Sequence, residues 1–228
     1  MARTTEGVLY GLTHADLVAN IAAVLDLATA QDWADGVAWY RKARRAGGVL
    51  GRASGYKGKR AYSVGAGVLA ALSPSCEWDV NVRCAFAVAA NGGRRDGADD
   101  SRHQSAANVA KAAAILSGGV PLDVLGGAKV RAFFACILDP SDPWAVCIDR
   151  HAAAVAYGRT LSDREMKNAV AVTKGADRYQ ALADAYRAVA AARGMLPMDV
   201  QAVTWVTWRR LKGGARAFTV SDATAVAL

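Results

Sequence analysis

The sequence lacks an unbroken apolar run. Within its 228 residues no stretch of about 18 or more is both apolar and uncharged, which argues against a membrane span. The most apolar stretch, Leu17 to Ala30, is interrupted by Asn20 and Asp26. The opening Met-Ala-Arg-Thr-Thr-Glu lacks a basic-then-apolar signal pattern, so a cytoplasmic location is expected. Cysteine is scarce, and none of Cys76, Cys84, Cys136 and Cys147 forms a Cys-x-x-Cys pair. That spacing suits neither a zinc ribbon nor a four-thiolate iron–sulfur cluster, so four free, mostly buried thiols are expected, with no metal or cofactor. Period-two alternation is rare and no internal repeat is visible, which disfavours sheets and solenoids. Two nucleotide motifs also fail. Gly65-x-Gly67-x-x-Ala70 has no preceding strand, and the loop at Gly58-Lys59 has Ala53 and Arg60 where a phosphate loop needs Gly and Ser or Thr.

What is present indicates a folded, helical chain. Apolar residues make up 53% and charged residues 21%, too apolar a mixture for disorder. The length allows one large domain or two lobes. The net charge of +8 fits a polyanionic partner, nucleic acid being the commonest, and equally fits simple solubility.

Thr13-His14-Ala15-Asp16 has the form of a capped helix start, followed by Leu17, Ile21, Val24 and Leu25 on one face. A second helix is expected over 31–45, stopped by Gly47-Gly48. Residues 47–67 look like a basic loop, and Gly65 to Leu72 like the start of a buried helix. After a break at Ser73-Pro74-Ser75, helices are expected around Trp78–Val88, over Ala106–Leu116, as a short turn over Pro121–Leu125, and over Lys129–Leu138. Later ones are expected over Asp149–Tyr157, Ser162–Thr173, Asp177–Arg193 and Met198–Leu211, with a short strand after Gly213. The fold class is all-α.

The stretch from Pro121 to Gly158 carries the strongest signal. It contains Leu125-Gly126-Gly127-Ala128-Lys129, a helix, an irregular linker, and Val146-Cys147-Ile148-Asp149-Arg150-His151. Upstream, Val68 to Asn81 (VLAALSPSCEWDVN) is a buried helix, a Leu-Ser loop and a further helix. In this order and spacing, over roughly 68–158, the chain resembles the helix-hairpin-helix DNA glycosylase superfamily, which includes endonuclease III. In that superfamily a glycine hairpin precedes a helix, a linker and an apolar triplet ending in Asp. Here the hairpin lacks its proline, Lys129 replaces its second glycine, the preceding region is shorter, and no cluster cysteines follow. The pattern around Lys129, Phe133, Asp149 and His151 is similar to a phage group of glycosylase-like proteins. That group includes the alpha-glutamyl/putrescinyl thymine pyrophosphorylases, which act in thymine hypermodification. Tyr179-x-x-Leu182-x-x-Ala185-Tyr186-Arg187 and Gln201-x-x-x-Trp205-x-x-Trp208-Arg209 resemble the same group.

The resemblance implies a two-lobed helical fold, with a hairpin lobe at about 68–134 and a second lobe from 1–67 with 135–228. A cleft between the lobes would have the hairpin on one wall and Asp149 at its floor. It also implies DNA as the partner, inside a bacterial or phage-infected cell, with no protein partner evident. Cleaving an N-glycosidic bond builds positive charge on the sugar, and a carboxylate beside C1′ can steady that charge and orient water. Asp149 is the expected catalytic acid, and as an Asp before a helix it is equally a favoured N-cap. Gly126 and Gly127 would let a phosphate approach the backbone, with Lys129 adding charge. Arg131 lies 18 residues before Asp149, where lyase-competent members place a nucleophilic lysine. Arginine does not readily form a Schiff base, so no efficient β-lyase step is expected. Arg131 is left to pair with Asp149, to bind phosphate, or to be a solvated cation.

Ser73, Ser75, Trp78, Asn81 and His151 are candidates for a pocket holding an extruded base. Trp78 is as readily core, Asn81 as readily a structural hydrogen-bond partner, and His151 a packing residue. Lys57, Lys59 and Arg60, and the run Arg41 to Arg45, either touch the DNA backbone or form solvated faces. His14 and His103 stand alone, and core packing is the default for Trp205 and Trp208. The leading expectation is a metal-free glycosylase acting on a modified pyrimidine. Hypermodification by displacement of pyrophosphate from an activated thymine methyl, or DNA binding without catalysis, are the alternatives.

Overall fold

The computed structural model describes residues 11–95, 100–173 and 176–212. The expected cap at Thr13 is reciprocal. Its hydroxyl accepts the Asp16 N–H at 3.2 Å, while the Asp16 carboxylate accepts the Thr13 N–H at 2.7 Å. This opens α1 (His14–Asp26), whose Leu17, Ile21, Val24 and Leu25 are buried as their spacing requires. There follow α2 (Ala30–Ala53), α3 (Gly58–Leu72), α4 (Trp78–Ala90), a short 3-10 turn at Asp100–His103, α5 (Ala106–Leu116), α6 (Pro121–Val124) and α7 (Ala128–Leu138). The chain continues through α8 (Arg150–Ala156), α9 (Asp163–Ala169), α10 (Arg178–Arg193) and α11 (Pro197–Leu211). Among the described residues the fold is all-α, apart from one antiparallel pair of two-residue strands, β1 (Val172–Thr173) and β2 (Ala176–Asp177). That pair replaces the last turn expected for the helix over Ser162–Thr173, which ends at Ala169. The strand expected after Gly213 lies outside the described residues. None of these helices is long and apolar enough to cross a membrane.

Two compact units form. One comprises the chain through Trp39 and again from Ser141, and the other is Tyr40–Pro140. In the first, α1, α8, α10 and α11 pack on one another. In the second, α4, α5, α6 and α7 surround α3, whose residues from Val64 to Leu72 are all buried. This second unit contains the glycine turn but starts at Tyr40 rather than near 68, and it ends at Pro140 rather than near 134. The boundary moves because α2 does not stop at Gly47-Gly48.

The region expected as a loop over 47–67 is mostly helix. α2 runs on through Gly47, Gly48 and Gly51, and α3 begins at Gly58. The glycines face another helix. A Cβ on Gly51 would lie 1.9 Å from the Ala61 carbonyl oxygen, and one on Gly65 would lie 1.7 Å from that of Gly47. Gly47 and Gly51 are one turn apart on α2, as Ala61 and Gly65 are on α3. Two small-residue stripes therefore meet backbone to backbone. Glycine normally weakens a helix interior by about 1 kcal/mol. Here the absent side chains let the helices approach more closely than any other residue permits, and the dispersion contact offsets that penalty.

Gly51→Ala and Gly65→Ala should each destabilise the protein by about 1–3 kcal/mol or more in urea unfolding, since the new methyl meets backbone that cannot rotate away. Gly126→Ala, where the new methyl meets nothing within 4 Å, should change stability by less than about 0.5 kcal/mol. Equal losses at all three positions would refute the close crossing.

The first unit carries a buried charge. Asp32 in α2 is 2% exposed and accepts Arg210 Nε at 2.9 Å and the Thr29 N–H at 2.8 Å. Burial opposes its ionisation, but the hydrogen bonds from Arg210 and Thr29 outweigh burial and hold its carboxyl below the usual range. A depressed carboxylate contributes stability that is present above the unfolded pKa of about 3.9 and lost as pH falls through the lower folded value. The stability difference between wild type and Asp32→Asn should therefore be constant at neutral pH and shrink below about pH 4 in acid-unfolding series. A constant difference down to pH 2 would contradict this.

Candidate active site

Asp149 is set at the N-terminus of α8 by the segment in front of it. Val146, Cys147 and Ile148 are buried, and the Ile148 N–H donates to the Tyr179 hydroxyl at 3.0 Å. The chain then turns into α8 with Asp149 as N-cap, its Oδ1 accepting the Ala152 N–H at 2.8 Å. The cap reading is thus correct. The second oxygen has its own donor, since Trp205 Nε1 reaches Oδ2 at 3.0 Å. The side chain is therefore fixed at both oxygens, yet the residue is only half-buried. An ionised carboxylate offers about four lone-pair positions, so acceptor capacity remains for a water or a cationic centre.

Trp205 is itself held on several sides. His151 stands perpendicular to it with ring centroids 5.8 Å apart, Trp39 is tilted against it at 6.5 Å, and the Arg209 guanidinium lies 4.6 Å from its ring centroid. Trp39 reaches this position because Gly36 sits against Val203, where a Cβ would fall 2.5 Å from the Val203 Cα. Below Asp149, the Tyr186 hydroxyl donates to the Ala152 carbonyl at 3.0 Å. Burial pushes the Tyr186 phenol upward, and the nearby Asp149 charge adds to this against a hydrogen bond with Thr204, so Tyr186 stays a donor.

The second unit holds the other candidates. Gly127 has φ +79° and caps α7, and a methyl added there or at Gly126 would meet nothing within 4 Å, so the turn backbone is open to approach. Lys129 does not point out from this turn. Its Nζ lies 3.3 Å from Ser73 Oγ and 5.5 Å from the Phe133 ring centroid. Ser73 is buried and donates to the Ala70 carbonyl at 3.0 Å. Trp78 packs edge-on against Phe133 at 6.3 Å, so it belongs to this core. Asn81 is 1% exposed, and its Nδ2 donates to the Leu69 carbonyl at 3.0 Å, while its Oδ1 meets no donor among the described residues. Ser75 is exposed, with φ +57°.

Arg131 is exposed, in keeping with a solvated cation, and it also bonds locally. Its Nε donates to the Leu125 carbonyl at 2.8 Å and its terminal nitrogen to the Leu122 carbonyl at 2.7 Å. These bonds fasten the C-terminal end of α6 to the first turn of α7. Lys57, Lys59 and Arg60 are exposed at the start of α3 rather than in a loop, Lys57 being its N-cap. Arg60 also donates to the Gly118 carbonyl at 3.0 Å.

The structure thus gathers Asp149 and His151 around Trp205 in one unit, and Ser73, Trp78 and Lys129 around Phe133 in the other. Trp205 was missed as a functional residue because an amphipathic helix face explains a tryptophan without reference to its N–H. Trp144 was not among the candidates. It is 66% exposed, its backbone N–H donates to Asp142 at 2.7 Å, and the Arg187 guanidinium lies 4.4 Å from its ring centroid. The four cysteines are free thiols, and burial followed by the neighbouring Cys84 pushes the Cys76 thiol up to about 12. Among the described residues no group of three or more His, Cys, Asp or Glu is placed to hold a metal ion.

Residues 6–212 match the model of a family of unknown function, DUF7178, and the chain belongs to that family. No curated protein and no solved structure matches it.

Trp205→Phe should remove the bond to Oδ2 while keeping the ring, lowering stability by about 0.5–1.5 kcal/mol. Asp149→Asn should keep the cap but lose the acceptor for the Trp205 indole, because an amide NH2 cannot accept, and so cost about 0.5–1.5 kcal/mol, whereas Asp149→Ala loses both bonds and should cost about 1–3 kcal/mol. Thermal denaturation of the three variants tests this, and an Asp149→Ala protein as stable as wild type would show that the cap contributes nothing.

Proposed function

We propose that this protein is a DNA glycosylase-like enzyme that breaks the N-glycosidic bond of a modified pyrimidine. The observation that carries the reading is Asp149, a half-buried carboxylate oriented at both oxygens behind a buried apolar triplet. In this reaction the C1′–N bond breaks with its electron pair leaving on the base nitrogen. Positive charge develops at the sugar, and the fixed carboxylate steadies it without reorganising. Water then adds at C1′, and Asp149 accepts its proton for return to the departing base. In this reading the open backbone at Gly126 and Gly127 receives a phosphate of the substrate strand. Arg131 acts as a positioning residue that holds the turn in shape. Arginine in place of a nucleophilic lysine leaves the enzyme without a lyase step.

A second reading is favoured by one further observation. Tyr179, Tyr186 and Trp205, all from the two C-terminal stretches similar to the phage hypermodification group, bond to Ile148, Ala152 and Asp149 respectively. In that chemistry the exocyclic carbon of an activated thymine loses pyrophosphate, an amine nitrogen forms the new bond, and the amine gives up a proton. Asp149 would then serve that carbon rather than C1′.

Incubation with DNA carrying thymine, uracil, 5-hydroxymethyluracil or its pyrophosphorylated form separates the two. Free base with abasic sites is the expected result, and released pyrophosphate from an intact strand selects the second reading. Asp149→Asn should lower turnover by about 10²–10⁴-fold while keeping DNA affinity. No chemical change in any of these substrates would overturn both readings. A covalent adduct trapped by borohydride would contradict the absence of Schiff-base chemistry.

A further inference from the structure

The excess of positive over negative charge in this sequence equals the contribution of one segment. Between Asp35 and Glu77 there is no acidic residue, while eight basic ones occur between Arg41 and Arg60. Removing those eight from the 28 Lys and Arg leaves 20, equal to the 20 Asp and Glu, so this segment accounts for the whole net charge of +8. A face kept basic only for solubility would carry both signs interspersed.

The fold turns this segment into a surface of the second unit. At about 100° per residue, Arg41, Arg44, Arg45 and Arg52 fall within about 100° of arc on α2, with Gly48 near its middle. The missing side chain at Gly48 admits the Tyr62 ring from α3, since a Cβ there would lie 2.5 Å from Tyr62 Cε1. Arg44 and Arg52 stack on that ring, 4.6 and 5.7 Å from its centroid. Two guanidinium groups are thus ordered on one aromatic ring. Among the described residues, none of Arg44, Arg45, Arg52, Lys57 and Lys59 forms an ion pair with a carboxylate. Like charges held together without counter-charges make a site for a polyanion. The exposed large apolar side chains among the described residues are Leu27, Val120, Leu122, Trp144 and Leu211, none of them in this segment. A face that inserts into a bilayer would carry such groups. The stripe from Arg41 to Arg52 is roughly 16 Å long, the axial span of about five phosphates of one strand at roughly 3.4 Å rise each.

We propose that the α2–α3 face is a sequence-independent docking strip for the DNA phosphate backbone, with Arg44 and Arg52 pre-ordered on Tyr62 as its centre. The proposal rests on the reading above for its choice of DNA among polyphosphates. The test is Arg44→Gln/Arg45→Gln/Lys57→Gln/Lys59→Gln in the full chain, with Arg164→Gln/Lys167→Gln on α9 as control and thermal denaturation to verify folding. Binding to a labelled duplex of arbitrary sequence is followed by anisotropy across a salt series. The fourfold variant should bind at least about 10-fold more weakly at low salt. Its slope of log K against log salt should fall by about 2–4, at about 0.9 per lost phosphate contact, and the control should match wild type. An unchanged slope, an equal loss in the control, or binding to phosphatidylserine vesicles in preference to DNA would overturn the strip. Base release is measured separately. Its absence in wild type, with the slope change present, removes the glycosylase reading and leaves the strip. An unchanged slope with base release intact does the reverse.

Discussion

The contact between α2 and α3 is the constraint on which the second unit depends. Gly47 and Gly51 meet Ala61 and Gly65 so closely that a methyl added at Gly51 or Gly65 would enter a backbone carbonyl. This approach buries α3 from Val64 to Leu72, and that helix is the core on which α4 to α7 pack. The same crossing brings Tyr62 over Gly48 and orders Arg44 and Arg52 upon it. One geometric condition, the absence of side chains at a few positions, thereby governs both the core and the form of the basic face.

In the first unit a single carboxylate joins a helix start to a second helix. Asp149 closes the N-terminus of α8 through one oxygen and accepts the Trp205 indole through the other. Tyr179 and Tyr186 secure the residues on either side, so the backbone carrying Asp149 is bonded from α10 and its side chain from α11. A group built in this way meets the demand for preorganisation in charge stabilisation, because little has to move when positive charge appears nearby. The glycosylase proposal draws on that rigidity, and its competitor uses the same carboxylate on a different carbon.

The arginines show that residue type does not settle role. Arg131 commits two donors to the carbonyls of Leu122 and Leu125 and so acts on the turn. Arg210 is bound to the buried Asp32, and Arg60 reaches the end of α5 through the Gly118 carbonyl. Arg44 and Arg52 rest on an aromatic ring without a carboxylate partner among the described residues. Of these arginines, Arg210 alone has its charge balanced by a carboxylate within the fold.

Much of the helical order was legible before the structure. The Thr13 cap, the glycine stops after α5 and α8, and the Asp149 cap are local features, readable over a few residues of chain. The apolar periodicity of α1 and the all-α class followed in the same way. The helices through 47–67 were not legible, because glycine in a sequence signals a turn unless a second helix is known to lie against it. Asp149 stood out as a candidate from its neighbours in sequence, but its partner Trp205 is 56 positions away and no local pattern joins them. The sequence by itself therefore determined the all-α class, the capped starts of α1 and α8 and the glycine stops after α5 and α8, since capping and periodicity are short-range. Only tertiary structure decided which glycines were contacts rather than breaks, which cations were bonded inside the fold, and which donor holds the central carboxylate, because each depends on distances between segments far apart along the chain.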